Sequence, residues 1–85
     1  MPSNQRLTFD SAASYAIHVQ GYLDSRWSDR MGGVMIQVDQ RPDGVAETVL
    51  TGEFQDQAAL TGVLNTLYDL GLPLLSVECL AVAAR

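Results

Sequence analysis

One segment constrains the fold more than any other, because it carries a complete helical pattern between Asp56 and Pro73. Aspartate is a good N-cap, since its carboxylate accepts a hydrogen bond from a free backbone N–H of the first turn. Gly71 stands where helices commonly end in a left-handed residue, and Pro73 cannot continue a helix. The apolar residues between these signals have the i, i+3, i+4, i+7 spacing of an amphipathic helix, and they are Leu60, Val63, Leu64, Leu67 and Tyr68. The sequence therefore predicts one well-marked helix with a single apolar face.

The segments on either side of this helix read as β-strands. Residues 15–24 and the segment that begins at Val34 alternate between apolar and polar side chains, which is typical of strands. A third strand is predicted over 46–54 and a last, mostly apolar one from 74 to about 82. The turn RPDG at 41–44 joins the second and third strands into a hairpin, because proline presets φ and Asp-Gly tolerates positive φ.

A short helix is predicted between the first two strands. Asp24 or Ser25 could cap it, Trp27 and Met31 are spaced to pair one turn apart, and the glycines at 32–33 would end it. The order of elements is then that of a two-layer ferredoxin-like βαββαβ fold with a short first helix. Without that helix, the chain forms a three- to four-stranded antiparallel sheet with one covering helix. In both cases the fold class is α+β.

Domain organisation follows from the same pattern. Residues 1–14 mix small and polar side chains, and we interpret them as a poorly ordered lead. Residues 15–85 form a single α+β domain. A core of this size is thin, and small folds often draw extra support from a disulfide, a metal or self-association.

Composition narrows the classes of function. Ten acidic residues, five arginines and no lysine give a net charge of −5, so we expect no nucleic-acid partner, which would need a basic surface. No apolar run reaches the roughly 18–20 residues of a membrane span and none resembles a signal peptide, so we expect no membrane partner and a cytoplasmic location. Cys79 is the only cysteine and no ligand set has metal spacing, so we expect no disulfide, metal or cofactor. Self-association remains as the extra support.

The face of the predicted sheet opposite the helix mixes apolar and polar side chains. The residues assigned to it are Ala16, His18, Gln20, Tyr22, Met35, Gln37, Glu47, Val49, Thr51, Leu74, Ser76, Glu78 and Leu80. Mixed surfaces of this kind often bury against a partner, although a solvated sheet face accounts for them equally well. The candidate interface residues are Trp27, Arg30, His18, Tyr22, Gln20, Val49 and Leu74.

Three residue types could carry chemistry. His18, the only histidine, could lie near Glu47 or Glu78 and serve as a general base, but a histidine on a sheet face is more often merely hydrogen-bonded. Cys79 alternates with Val77 and is expected in the core under the helix, where a thiol is inert. Trp27 with the neighbouring arginines could form an anion-binding or partner-binding patch, or could simply cover a sheet edge.

Three short segments resemble a family of small uncharacterised bacterial proteins. They are LTG at 50–52, DQAAL at 56–60 and DLGLPLLSV at 69–77, and the likeness extends to the Trp27-Ser28 stretch. The resemblance implies a bacterial, stand-alone domain. It implies no activity and no functional residues.

Three classes of function remain open. The favoured one is a protein–protein interaction module without catalysis that forms a homo-oligomer through the open sheet face or an edge strand. An alternative is a small-ligand binding or sensing domain with a pocket between the sheet and Trp27. A further alternative is a small oligomeric enzyme that uses His18, which should then be bonded to Glu47 or Glu78 in a cleft.

Overall fold

The computed structural model of the protein describes residues 11–82. Its elements along the chain are strand β1 (Ala13–Gln20), a 3₁₀ helix (Ser25–Met31), strands β2 (Met35–Gln40) and β3 (Ala46–Phe54), helix α1 (Gln57–Asp69) and strand β4 (Leu74–Val82). The predicted third and fourth strands and the long helix have the expected bounds. Residues 1–10 of the predicted lead and the last three residues of the predicted domain lie outside the described residues.

The four strands form one antiparallel sheet in the order β2-β3-β1-β4. The hairpin of β2 and β3 is confirmed, and Gly44, at a φ of 86°, closes its turn by donating to the carbonyl of Arg41. β1 lies between β3 and β4, and its register with β4 shifts twice, between Ser14 and Tyr15 and between His18 and Val19. The α+β class is therefore confirmed as a four-stranded antiparallel sheet with one α-helix and a short 3₁₀ helix.

The core lies between the central strands and α1. Ile17 of β1 and Leu50 of β3 are opposite each other in register, and both are fully buried. The helix contributes three buried side chains, which are Leu60, Val63 and Leu67. β1 supplies a buried residue at every second position from Ala13 to Val19, because these side chains face α1 and β1, like β3, has a neighbouring strand on each side.

The first strand is shifted relative to its prediction, since it begins at Ala13 and ends at Gln20 instead of covering 15–24. Gly21 ends it with a φ of 114°, where an added Cβ would come 2.9 Å from Leu72 Cδ2. The buried Thr48 hydroxyl donates to the Gly21 carbonyl at 2.6 Å and accepts from the Leu23 N–H at 3.2 Å. These bonds hold a turn, which leaves Tyr22 outside the strand and 65% exposed.

The predicted short helix forms, with 3₁₀ geometry. The Asp24 carboxylate caps it by accepting from the Arg26 N–H at 2.9 Å. Gly32 ends it in the left-handed conformation, and the Gly33 N–H donates to the carbonyl of Ser28. β2 consequently starts at Met35, one residue later than predicted.

Both ends of α1 follow the predicted signals. The Asp56 carboxylate accepts from the Ala59 N–H at 2.9 Å, which confirms the N-cap. At the other end, Gly71 has a φ of 78° and donates to Tyr68, while the Leu72 N–H donates to Leu67, which is the Schellman pattern. Tyr68, however, was assigned to the packed face and is 81% exposed, because it lies at the margin of the apolar stripe.

Candidate functional site

The face of the sheet opposite α1 carries a hydrogen-bonded chain of three charged or polar side chains. His18 Nδ1 lies 2.6 Å from Glu47 Oε2, and the other oxygen of Glu47 accepts from Arg41 Nη1 at 3.3 Å. The pair is diagonal across the sheet, since Val49 is the residue directly opposite His18. The predicted proximity of His18 and Glu47 is therefore confirmed. Glu47 fixes the imidazole in one orientation, as a general base requires, but also as an ordinary surface ion pair would.

The seven candidate interface residues do not share one face. His18, Gln20 and Val49 lie together on the open face of β1 and β3. Tyr22 follows β1 in the turn, and Trp27 and Arg30 belong to the 3₁₀ helix. Leu74 was placed on the open face by simple alternation, but the register shift beside Val19 pairs it with that buried residue, on the helix side.

The 3₁₀ helix carries two arginines in different electrostatic settings. Arg26 Nη2 lies 3.1 Å from Asp24 Oδ2. The Arg26 backbone N–H and then its guanidinium lower the pKa of Asp24 below its ordinary value, and the hydrogen bond that the Arg26 guanidinium donates to Asp24 raises the pKa of Arg26. Arg30 instead stacks on Trp27, with its guanidinium carbon 5.3 Å from the ring centroid. Arg26 is thus neutralised locally, whereas the charge of Arg30 stays available.

β4 is an apolar strand with little cover. Four of its large apolar side chains are between 38% and 53% exposed, and they are Leu74, Leu75, Val77 and Leu80; we call this group the β4 surface. Cys79 is also exposed, so its predicted burial is wrong. Cys79 does pair with the buried Tyr15, but α1 packs against β3 and leaves the outermost strand uncovered.

Three cavities border these elements. One of about 300 Å³ lies beside Arg26, Trp27 and Arg30. An apolar groove of about 290 Å³ runs between the end of α1 and the start of β4, lined by Tyr68 and Leu74 among others. The third, about 470 Å³, lies where the 3₁₀ helix, the end of β3 and α1 meet. Trp27 borders the first of these cavities, and Arg30 borders both the first and the third.

The β4 surface and the cavity of about 470 Å³ were not predicted from the sequence. The β4 surface has a readable signal, since the segment from Leu74 to Val82 has one charged residue, no lysine and no proline. Those are the residues by which exposed edge strands are usually protected. The cavity has a weaker signal in Gly62, a glycine in the interior of a helix.

Two further properties of the described residues bear on the site. Residues 11–82 contain no group of three or more His, Cys, Asp or Glu side chains that could hold a metal ion. Within the same part of the chain, neither helix is long and apolar enough to cross a membrane.

The fold and these surfaces define a small two-layer α+β domain whose outermost strand is apolar and exposed. The chain belongs to the family described as a domain of unknown function (DUF8691), whose model matches residues 14–78. Neither a curated protein nor a solved structure matches the chain. The match begins just inside β1 and ends within β4, so it takes in the hairpin, both helices and most of the β4 surface.

Proposed function

We propose that this domain is a self-assembling module that forms a homo-oligomer by pairing β4 of one copy with β4 of a second. The observation that carries the proposal is the exposure of β4, which has free apolar side chains along nine residues and lies at the edge of the sheet. An edge strand presents unpaired N–H and C=O groups, and a long apolar one is a ready template for another strand.

The other edge of the sheet supports this choice by contrast. β2 has six residues, and it carries Asp39 and two glutamines as well as the exposed Met35. Its polar side chains and short length disfavour pairing with another sheet. Of the two edges, β4 therefore offers more apolar area for burial, and a stable interface buries about 800 Å² on each partner.

Register gives the pairing a preferred centre. A two-fold antiparallel pairing centred on Glu78 would set two carboxylates opposite each other, which destabilises a sheet. Centring on Val77 instead sets Glu78 opposite Ser76 of the second copy and Cys79 opposite Leu75. We favour the Val77 centre because it keeps apolar residues in contact and separates the acidic ones.

The decisive experiment is the solution mass by light scattering across a concentration series. The wild type should be a dimer or larger at micromolar concentration, and Val77→Lys should be a monomer, because a lysine on an edge strand opposes pairing. Met35→Lys is the matched control, since it places the same charge at an exposed apolar site on the other edge. Circular dichroism verifies that each variant is folded. A wild type that stays monomeric at high micromolar concentration removes the proposal.

The open face is the competing interface, and Val49→Glu tests it. Val49 lies at the centre of that face beside His18. If Val49→Glu dissociates the oligomer and Val77→Lys does not, the module assembles through the open face and the role of β4 is wrong.

Two finer classifications belong to this proposal. A ferredoxin-like βαββαβ fold is supported by the sheet order, in which β3 separates β1 from β2 and β1 separates β3 from β4. A cytoplasmic location is supported by a free thiol at Cys79, since oxidising compartments favour paired cysteines.

An enzyme that uses His18 is the second candidate function. The 2.6 Å contact between His18 and Glu47 favours it. The three cavities bordered by the described elements are lined by other residues, so none of the three would place a substrate beside the pair. An activity that survives His18→Ala would remove this candidate.

A further inference from the structure

The cavity of about 470 Å³ has the size of a small-molecule site and shares no residue with β4. Its inner wall is apolar, since Met31, Phe54 and Val63 line it and each is buried in the core. Its rim includes Arg30 from the last turn of the 3₁₀ helix. An apolar wall with a small number of charged or polar groups is the usual composition of a ligand pocket.

Arg30 is the source of the charge at this mouth. In the described part of the chain, the other two arginines are paired with carboxylates, Arg26 with Asp24 and Arg41 with Glu47. Arg30 has a ring contact with Trp27 and no ion pair within residues 11–82. Stacking occupies the flat face of a guanidinium and leaves its N–H groups free to hold a carboxylate with two parallel hydrogen bonds.

The neighbouring Glu53 does not cancel this charge. It also borders the cavity, but it alternates along β3 with Phe54, whose side chain faces the core. Side chains of successive strand residues point to opposite faces of the sheet, so the Glu53 carboxylate lies on the face away from α1. On the α1 side of the sheet, Arg30 is therefore the charged residue that borders the cavity.

Gly62 keeps the helix side of the cavity open. It lies in the interior of α1, where glycine destabilises a helix relative to alanine. A Cβ built at this position meets no atom within 4 Å, so packing within the chain does not require glycine. A methyl group there would take up part of the cavity. Binding of a ligand in the cavity would therefore account for glycine at this position.

We infer that this cavity binds a small organic acid, with its carboxylate on Arg30 and its apolar body against Met31, Phe54 and Val63. Charge complementarity selects an anion, and the apolar wall selects one with a hydrophobic body over a bare inorganic ion. The inference goes beyond self-assembly and depends on none of the β4 contacts.

The test is an NMR titration that follows the backbone amides of Gly32 and Gly62, with phenylacetate as the probe. Phenylacetate should give saturable shifts. Its uncharged analogue phenylacetamide should bind at least about ten-fold more weakly, because it lacks the charge-assisted hydrogen bond to Arg30. Acetate and inorganic phosphate should also bind more weakly, because neither contacts the apolar wall.

Variants separate a binding role from a structural one. Arg30→Met should weaken phenylacetate binding about ten-fold or more, whereas Arg26→Met, a change to the paired arginine outside this cavity, should leave it unchanged. Gly62→Ala should raise the melting temperature and yet weaken binding, since it favours the helix and fills the cavity. A purely structural glycine would not give opposite changes in these two quantities.

Three results would overturn the inference. The first is no saturable shift with phenylacetate up to millimolar concentration. The second is equal affinity for phenylacetate and phenylacetamide, or for phenylacetate and phosphate. The third is equal affinity of wild type, Arg30→Met and Gly62→Ala in folded protein.

Discussion

β1 and β4 are antiparallel neighbours that both carry several large apolar side chains, yet these side chains are buried in β1 and exposed in β4. Ile17 of β1 is fully buried, while Val77, the residue opposite it in β4, is 38% exposed. The difference arises from position, because β1 has a strand on each side and faces α1, whereas β4 has one neighbouring strand and the helix packs on β3. Position in the sheet, and not apolar character alone, thus decides that β1 belongs to the core and that β4 lies at the surface.

The largest effect should come from truncating the paired residues Ile17 and Val77. Ile17→Ala should lower the free energy of unfolding by about 3 kcal/mol, because it leaves a cavity in the core. Val77→Ala should cost less than about 1 kcal/mol, since part of its side chain is already in water. Urea denaturation at a concentration where the protein is monomeric measures both. Similar losses would mean that β4 is covered as well as β1.

Thiol accessibility distinguishes the two strands chemically. Cys79 of β4 is exposed and should react with a maleimide at the rate of a free thiol. Ala13→Cys on a Cys79→Ser background puts a thiol at a fully buried β1 position. This thiol should react at least about 100-fold more slowly than Cys79, because its reaction requires opening of the fold.

Mass spectrometry at intervals measures these rates. Protection of Cys79 that increases with protein concentration would support pairing through β4. Equal rates for the two thiols would contradict the burial of β1.

Tyr15 offers a smaller change within the core side of β1. Its side chain is buried, and its hydroxyl has no hydrogen-bond partner among the described residues. An unpaired buried hydroxyl is costly, so Tyr15→Phe should raise the free energy of unfolding by about 1 kcal/mol. Chemical denaturation decides the sign, and a loss of stability would show that the hydroxyl is paired in solution.

The smallest effect should come from the open face. Glu47→Gln removes the carboxylate that contacts His18 and forms an ion pair with Arg41, but it keeps an oxygen that can accept hydrogen bonds. The side chains are partly solvated, so we expect a loss below about 1 kcal/mol. Glu53→Gln, an exposed site on the same strand, is the matched control. A loss near that of Ile17→Ala would make the ion pair a principal support of the fold.

Local signals predicted most of the fold. Asp56 and the apolar stripe after it located α1, Gly44 located the hairpin, and the alternation of β3 gave its bounds. Each is a property of a few adjacent residues, and each acts through backbone geometry or capping. The errors fell where distant residues intervene: Thr48 holds the turn that ends β1, and the register shift beside Val19 turns Leu74 to the helix side.

The sequence by itself determined the elements, the α+β class and the acidic character of the chain, because hydrophobic period, caps and charge are local quantities. It also suggested that His18 would meet Glu47, since both alternate onto one face of adjacent strands. Only the tertiary structure decided which apolar residues are core, because Cys79 and Val77 have the pattern of buried residues and lose that burial through the position of α1. The same packing opened the cavity beside Arg30, because it brings the 3₁₀ helix against the junction of β3 and α1, which is distant from that helix in sequence.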